Sequence, residues 1–445
     1  MNATDTIFAL ATPYAKSGVA IIRISGKQAL AALSALSGKQ DFAHAEAFFK
    51  AFHDGAGTLI DKGLAIYFAS PRSFTGEDTA EFHLHGSPAV IKHMLETLAG
   101  IEGLRLAEAG EFTRRAYLNG KMDLLEAEGL ADLIDSETLA QKNQAMRQMG
   151  GEASKRYSAM REQVIRVLAL LEAYIDFPDE DIPESVLTGL TEEVAYAKTH
   201  IEGILNDNRR GERLRDGFYV VICGAPNAGK SSLINILSGR EAAIVSHHAG
   251  TTRDAIEITM DLGGFPVILT DTAGIRETSD EIEGEGVRRA LKRAGDADLK
   301  LVLFDAGALP SLDAESLKLV DEKTLVVITK CDAHKDAKKH ILSFNNNILY
   351  ISSQTGEGVN ALLEQLKQRV SGGAAASEAA LITRSRHRAQ LEQALAHLNR
   401  FSVELPLEIA CEELRQAAGA IGKITGKIQV DDVLDVIFKQ FCIGK

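Results

Sequence analysis

Phe218, Tyr219, Val220, Val221 and Ile222 form an unbroken apolar run, which predicts a buried strand. Just downstream, residues 232–237 place Leu233, Ile236 and Leu237 at helical spacing. The rest of the chain falls into stretches of different texture around this pair. Residues 1–119 mix strands with short helices. Segments 18–26, LAIYFAS and TAEFHLHG read as strands, and 27–37 and 89–98 as helices, which makes an α+β domain. Residues 120–216 turn helical, as at Leu130 and Ile134 and at Val164, Val167, Leu168 and Leu171. Gly150-Gly151 marks a break there, 176–183 a loop, and 187–214 a second helical run ended by Asp216-Gly217. Residues 217–371 alternate strand and helix, predicting a doubly wound parallel sheet. Residues 372–445 open with a small-residue linker, 372–380, and return to helix. The simplest topology is an insertion: a discontinuous α-helical bundle with an α/β domain spliced into it, behind an α+β N-terminal domain.

Composition narrows this picture. A chain of 445 residues is too long for one core, and 45% hydrophobic content is globular. The N-terminal residues lack the basic start of a secretory signal, and no apolar run reaches membrane-span length. Cys223, Cys331, Cys411 and Cys442 lie far apart with no CxxC, which argues against a disulfide framework and fits a cytoplasmic location. A net charge of −13 means that any RNA contact must use a local patch. Arg209, Arg210, Arg213 and Arg215, or Arg384, Arg386 and Arg388, could form one, although solvated helix faces explain both groups more simply. His83 and His85 share one strand face, a pairing more often structural than metal-binding.

The chemistry sits between the apolar run and the helix. Gly224-Ala-Pro-Asn227-Ala228-Gly229-Lys230-Ser231-Ser232 matches GxxxxGK[ST], in the strand–loop–helix context a phosphate loop requires. Its glycines let backbone N–H groups converge on an anion, and the helix N-terminus adds its positive end. Lys230 can reach the outer phosphates, and the Ser231 hydroxyl can bind Mg²⁺. Downstream, in the order a GTPase requires, come Gly250-Thr251-Thr252-Arg-Asp and Asp271-Thr272-Ala273-Gly274. Thr252 is suited to complete the Mg²⁺ shell, Asp271 to hold Mg²⁺ through water, and the Gly274 N–H to sense the γ-phosphate. Thr329-Lys330-Cys331-Asp332 and Ser352-Ser353-Gln354 each follow a strand. Asp332 can accept hydrogen bonds from guanine N1–H and N2–H, and the serine stretch can close over the base.

Two positions depart from the common pattern. Many GTPases have NKxD where this chain has TKCD. Thr329 lacks the carboxamide that braces the loop, so weaker guanine binding is expected. A glutamine after DxxG usually orients the attacking water, and here that residue is Ile275. Another group must position water, or hydrolysis stays slow until one is supplied.

These residues resemble the tRNA-modification GTPase family MnmE (TrmE), a K⁺-dependent TrmE-Era-EngA-like group with a Ras-like GTPase domain. The resemblance covers nearly the whole chain. It rests on DTIFALATP (5–13), RISG (23–26), SFTGED (73–78), GEFTRRAYLNGKMDL (110–124), GAPNAGKSS, GTTRD, DTAGIRE and the terminal FCIGK (441–445). It implies GTP hydrolysis and a flavoprotein partner, MnmG, in a heterotetramer or larger complex. Together the two would install a carboxymethylaminomethyl or aminomethyl group on the wobble uridine of certain tRNAs. It also implies an N-terminal folate-binding domain that forms a homodimer. There Arg23, Glu81 and Lys121 would contact formyl-tetrahydrofolate or a related one-carbon tetrahydrofolate, with Lys445 reaching in from the C-terminus. Asn227, Ser246, His248 (through its backbone oxygen) and Thr251 match K⁺ ligands. Glu283 matches the water-organising glutamate, although from the residues alone it is one of three neighbouring acids with Glu281 and Glu285. Cys442 reads as a helix-end cysteine or, by the resemblance, as a group near the folate, where a chemical role would need a lowered pKa. Ala109 stands where the family usually has proline, which loosens a loop beside that site. The competing reading is a regulatory GTP switch that binds RNA or ribosome without modification chemistry, and such a switch needs neither folate nor the terminal CIGK.

Overall fold

The computed structural model describes residues 5–176, 184–207, 209–240, 242–244, 257–271, 297–334, 336–337, 348–371 and 380–428, and residues 434, 437, 438, 441 and 444. Two compact units emerge: Met1–Ala131 with Gln148–Val194 and Ala396–Lys445, and Asp132–Arg147 with Ala195–Leu395.

The first unit holds a six-stranded sheet, ordered β3-β4-β5-β2-β1-β6. Its strands are β1 (Thr6–Leu10), β2 (Ser17–Ser25), β3 (Ala47–His53), β4 (Leu59–Phe68), β5 (Thr79–Gly86) and β6 (Leu104–Leu106). All neighbours are antiparallel except β1 and β6. Alternation sends Phe8, Ile22, Ile24, Phe52, Ala65 and Phe82 to one face. There they pack with Leu33 of α1 (Ala29–Ser37) and Met94 and Leu98 of α2 (Pro88–Ala99). Gly26 ends β2 at φ +130, with room for no Cβ, because Thr6 Oγ1 would lie 2.7 Å from it. Helix α3 (Glu111–Leu118) carries the GEFT stretch, and α4 (Leu124–Ile134) begins at the end of the GKMDL run. In the same unit α6 (Glu152–Asp176) packs along α12 (Leu407–Thr425). Val164, Val167 and Leu171 are buried on α6, and Leu414, Ala417 and Ile421 on α12. One of these helices precedes the nucleotide-type sheet in sequence and the other follows it. The bundle is therefore discontinuous, as the insertion topology requires.

The second unit is built on a seven-stranded sheet, ordered β13-β12-β11-β7-β10-β9-β8. Its strands are β7 (Phe218–Gly224), β8 (Ala243–Ile244), β9 (Glu257–Leu262), β10 (Phe265–Asp271), β11 (Leu299–Asp305), β12 (Thr324–Thr329) and β13 (Ile348–Tyr350). The five strands from β13 to β10 are parallel. The sheet departs from the all-parallel expectation at β9, which runs antiparallel to β10. Gly263 and Gly264, at φ +70 and +94, join the two in a tight turn, and such a turn connects only antiparallel strands. β7 is buried on both faces. Phe218, Val220 and Ile222 meet one core and Val221 and Cys223 the other, while Tyr219 stays exposed. On α9 (Lys230–Ser238) the buried stripe is Leu233, Ile234 and Leu237; Ile236 is only partly covered.

Two other expectations change. The helical run 187–214 is two helices, α7 (Glu184–Leu205) and α8 (Arg210–Asp216), and Arg209 sits between them at φ +54. Arginines of both groups are ion-paired rather than solvated, although Arg209 is exposed. Arg384 and Arg215 both meet Asp132, at 2.7 and 2.8 Å, and Arg388 meets Asp207 and Glu212 at 2.7 and 2.9 Å. His83 lies 3.4 Å from Glu81 and His85 pairs with Asp61, and among the described residues no cluster of three metal-ligating side chains occurs. The expected loop from 177 and the linker to 379 lie outside the described residues. Among the described residues no helix is long and apolar enough to cross a membrane.

Candidate nucleotide site

Strand β7 leads directly into the phosphate loop. Gly224, at φ +146, crosses so close to β11 that a Cβ would lie 2.5 Å from the Leu303 carbonyl oxygen. Asn227 and Gly229 are left-handed, at φ +65 and +92, and α9 starts at Lys230. Alternating handedness of this kind turns successive N–H groups into one concavity, the anion-binding nest. Lys230 is buried along its length, and its Nζ donates to Gly224 O at 2.8 Å and Ala225 O at 2.9 Å. A cavity of about 490 Å³ opens over the loop, lined by Asn227, Gly229, Lys230, Ser231 and Ser232 and reached by Lys330. A concave nest, a helix N-terminus and a lysine suit a polyphosphate.

The remaining elements end at the same edge. Parallel pairing sets Asp271, the last residue of β10, beside Ile222 of β7, and Thr329, the last of β12, beside Asp305 of β11. This edge, where strand order reverses around β7, is where open α/β sheets bind ligands. Thr329 is buried, and its Oγ1 donates to Ala228 O at 2.8 Å, with Phe304 O at 3.2 Å. The brace expected to be missing is therefore supplied by a hydroxyl. Lys330 is left-handed at φ +58, and its Nζ meets Asp305 Oδ2 at 2.7 Å. Burial pushes the Asp305 carboxyl up, but Lys330 and the Gly307 N–H outweigh it, so the group titrates below its ordinary value. Asp332 is half-buried next in line. After β13, the buried Ser352 accepts from Gln354 N at 3.2 Å and Thr355 N at 3.1 Å, and this fixes the turn that presents Ser353 and Gln354. Ser246, His248, Thr251, Thr252, Thr272, Ala273, Gly274 and Glu283 lie outside the described residues, as does the Asp271 side chain.

In the first unit, Arg23 and Glu81 stand opposite each other on β2 and β5 and pair at 2.8 Å. Both side chains are largely buried, 22% and 15% exposed. The guanidinium lies 5.7 Å from the Phe74 ring and 5.8 Å from the Phe112 ring. Lys121 Nζ donates to Pro71 O at 2.9 Å, two residues before the SFTGED stretch. Behind that stretch, Glu111 takes two bonds from Arg105 and one from Arg115, and Arg115 also reaches Glu77, which accepts from Ser25 Oγ. Sequence reasoning did not single out Phe74, Phe112, Arg115 or Asp305, each defined by a partner distant in the chain, nor Glu111, whose partners are near in sequence but whose burial no local pattern shows. The terminal segment reaches this unit too: a Cβ on Gly444 would lie 2.2 Å from Leu10 O at the end of β1. Cys442 and Lys445 lie outside the described residues.

The fold and the site define a P-loop GTPase whose α/β domain is inserted in a helical bundle. Residues 6–121 match the family model for the GTP-binding protein TrmE N-terminus, and 124–442 the model for the MnmE helical domain. The tRNA modification GTPase MnmE of Paramagnetospirillum magneticum is 49% identical over 442 residues, 99% of this chain and all of that one. Those of Parvibaculum lavamentivorans and Rickettsia canadensis are 48% and 46% identical over the same share of each chain. The chain belongs to the MnmE family. The solved G domain of the T. maritima FeoB iron transporter aligns with 35% of this chain and 97% of its own at 27% identity, with a TM-score of 0.25. The sheet order and phosphate loop above, not that slight superposition, carry the fold.

Proposed function

We propose that the chain hydrolyses GTP as the motor of a tRNA-modifying complex that adds a carboxymethylaminomethyl or aminomethyl group to the wobble uridine of certain tRNAs. The observation that carries the reading is one chain holding both the phosphate loop with TKCD at one sheet edge and the Arg23–Glu81 pair, whose guanidinium lies within about 6 Å of two aromatic rings. A GTP switch that only docks on RNA or ribosome has no use for the second site.

On this reading Lys230, the Gly229 N–H and the first turn of α9 hold the phosphates and gather their negative charge. Asp332 accepts from guanine N1–H and N2–H. Glu283 orients the attacking water in place of the glutamine that Ile275 replaces. Mg²⁺, held through Ser231 and Thr252, and K⁺, held through Asn227, Ser246, Thr251 and the His248 backbone, supply positive charge beside the phosphates when bound. Arg23, Glu81, Lys121 and Lys445 bind a one-carbon tetrahydrofolate, and the paired cation and carboxylate suit its charged tail and pterin edge. The protein works in the cytoplasm as a homodimer with the flavoprotein MnmG, and its substrate is tRNA.

Nucleoside analysis of tRNA from cells with and without the gene tests the proposal. Loss of the modified wobble uridine with the gene is the expected result. An unchanged nucleoside profile, with GTP hydrolysis intact, would favour the regulatory switch.

A further inference from the structure

The Thr329 hydroxyl has one proton and lies between two buried carbonyl oxygens, Ala228 O at 2.8 Å and Phe304 O at 3.2 Å. The shorter bond crosses from β12 to the phosphate loop. A trans peptide is planar, with its C=O and N–H pointing in opposite directions. Anchoring Ala228 O toward β12 therefore turns the Gly229 N–H the other way. Gly229 lines the cavity over the loop, and an N–H turned away from β12 is the one placed to meet an anion there. The loop is clamped at its other end as well, where Gly224 abuts Leu303 of β11. Between the clamps Asn227 holds a left-handed conformation that a free loop would seldom adopt.

We infer that Thr329 is a positioning residue for the phosphates, not a base contact: its hydroxyl fixes the Ala228–Gly229 peptide and so preorganises one donor of the cradle. The side chain is buried against the loop's own backbone, which leaves it no face toward the base. Guanine recognition at this motif is then left to Asp332. The inference rests on the guanine-nucleotide reading of the site and assigns Thr329 to the phosphate half of it.

Thr329→Val keeps the branched shape and removes the donor, so the Ala228 carbonyl loses its 2.8 Å bond. Thr329→Ser keeps the donor. The full chain is titrated with fluorescent GDP, and GMP, which has no β-phosphate, is measured by competition. The valine variant is expected to lose about 10- to 100-fold in GDP affinity and under threefold for GMP, as a lost cradle donor of about 1.4–2.8 kcal/mol would give. The serine variant should stay within threefold of the parent for both. Should the valine chain not fold, Thr329→Ala, read at low temperature beside Thr329→Ser, makes the same comparison. Equal losses for GDP and GMP would overturn the inference in favour of a base contact. A lower Tm with unchanged GDP affinity would overturn it in favour of a purely structural hydroxyl. If the parent chain itself bound no guanine nucleotide, the guanine reading would fall instead.

Discussion

Arg23 and Glu81 face each other across β2 and β5 and close an ion pair at 2.8 Å, on a sheet face where Phe74 and Phe112 flank the guanidinium. With 22% and 15% of the two side chains exposed, the pair lies between a surface ion pair and a fully buried one, so its loss should cost less than the ~3–5 kcal/mol of a broken buried pair. Its setting suits recognition better. Glu81→Gln and Arg23→Leu should each weaken formyl-tetrahydrofolate binding by at least tenfold while moving Tm by only a few degrees. Calorimetric titration of the folate beside thermal melts checks this. A large fall in Tm with affinity retained would make the pair structural.

Glu111 is the opposite case, nearly fully buried and tied to Arg105 and Arg115. Burial pushes its carboxyl up, and the bonds from Arg105, the Glu108 N–H and Arg115 more than offset that, so it titrates below its ordinary value. Its unfolded pKa is about 4.3. A carboxylate depressed in the folded state gives stability that is present above that value and is lost as pH falls through the folded pKa. Glu111→Gln should therefore cost roughly 3 kcal/mol at neutral pH, because it removes the buried carboxylate that Arg105 and Arg115 share and leaves them only Asp5 and Glu77. The gap between parent and variant should narrow as pH drops below about 4. Urea melts at pH 7 and pH 3.5 measure both effects.

The phosphate loop was legible because its chemistry is a backbone demand. Gly224 and Gly229 occupy conformations that other residues rarely adopt, and their spacing is visible in the sequence. The edges of β9 were less legible, since a run of alternating residues does not say which way a strand points. Only Gly263-Gly264, read as a hairpin turn, could have reversed it. The arginines were misread for a different reason. Arg388 meets Asp207 from 181 positions away and Arg384 meets Asp132 from 252, and no local pattern encodes such pairings. The same holds for Thr329, where the sequence displays a missing amide and the fold supplies a hydroxyl 101 positions from its acceptor.

GTP hydrolysis should be faster in K⁺ than in Na⁺. Asn227 lines the cavity from a left-handed position in the loop, and Ile275 leaves the usual glutamine's place without a polar group. A cation of the right size beside the β- and γ-phosphates would supply charge that an arginine finger supplies elsewhere. Turnover at matched ionic strength in the two salts is the measurement, and equal rates would remove K⁺ from the site.

Asp332→Asn should relax the preference for guanine and admit xanthine. The carboxylate accepts two N–H donors, whereas an amide presents both a donor and an acceptor and so matches the xanthine edge. Competition between GDP and xanthosine diphosphate should shift by at least a hundredfold toward xanthosine. Unchanged selectivity would place base recognition elsewhere than at the end of β12.

Glu283→Ala should abolish hydrolysis and leave nucleotide affinity nearly intact. Ile275 cannot hydrogen-bond water, so another group must orient the nucleophile. Glu283 follows DxxG in the segment that becomes ordered around the γ-phosphate in GTPase switches. A side chain that touches only the attacking water acts in the transition state, and its loss lowers kcat with little change in binding. Losing such a carboxylate should cost roughly a hundredfold or more, as for other general bases. Glu281→Ala and Glu285→Ala are the controls, because three neighbouring acids would be equivalent if they served only as charges at a helix start. Single-turnover hydrolysis in K⁺, measured beside GDP affinity, separates the two cases. If the three variants slow alike, the water is held by backbone or by the partner subunit, and Glu283 is one charge among three.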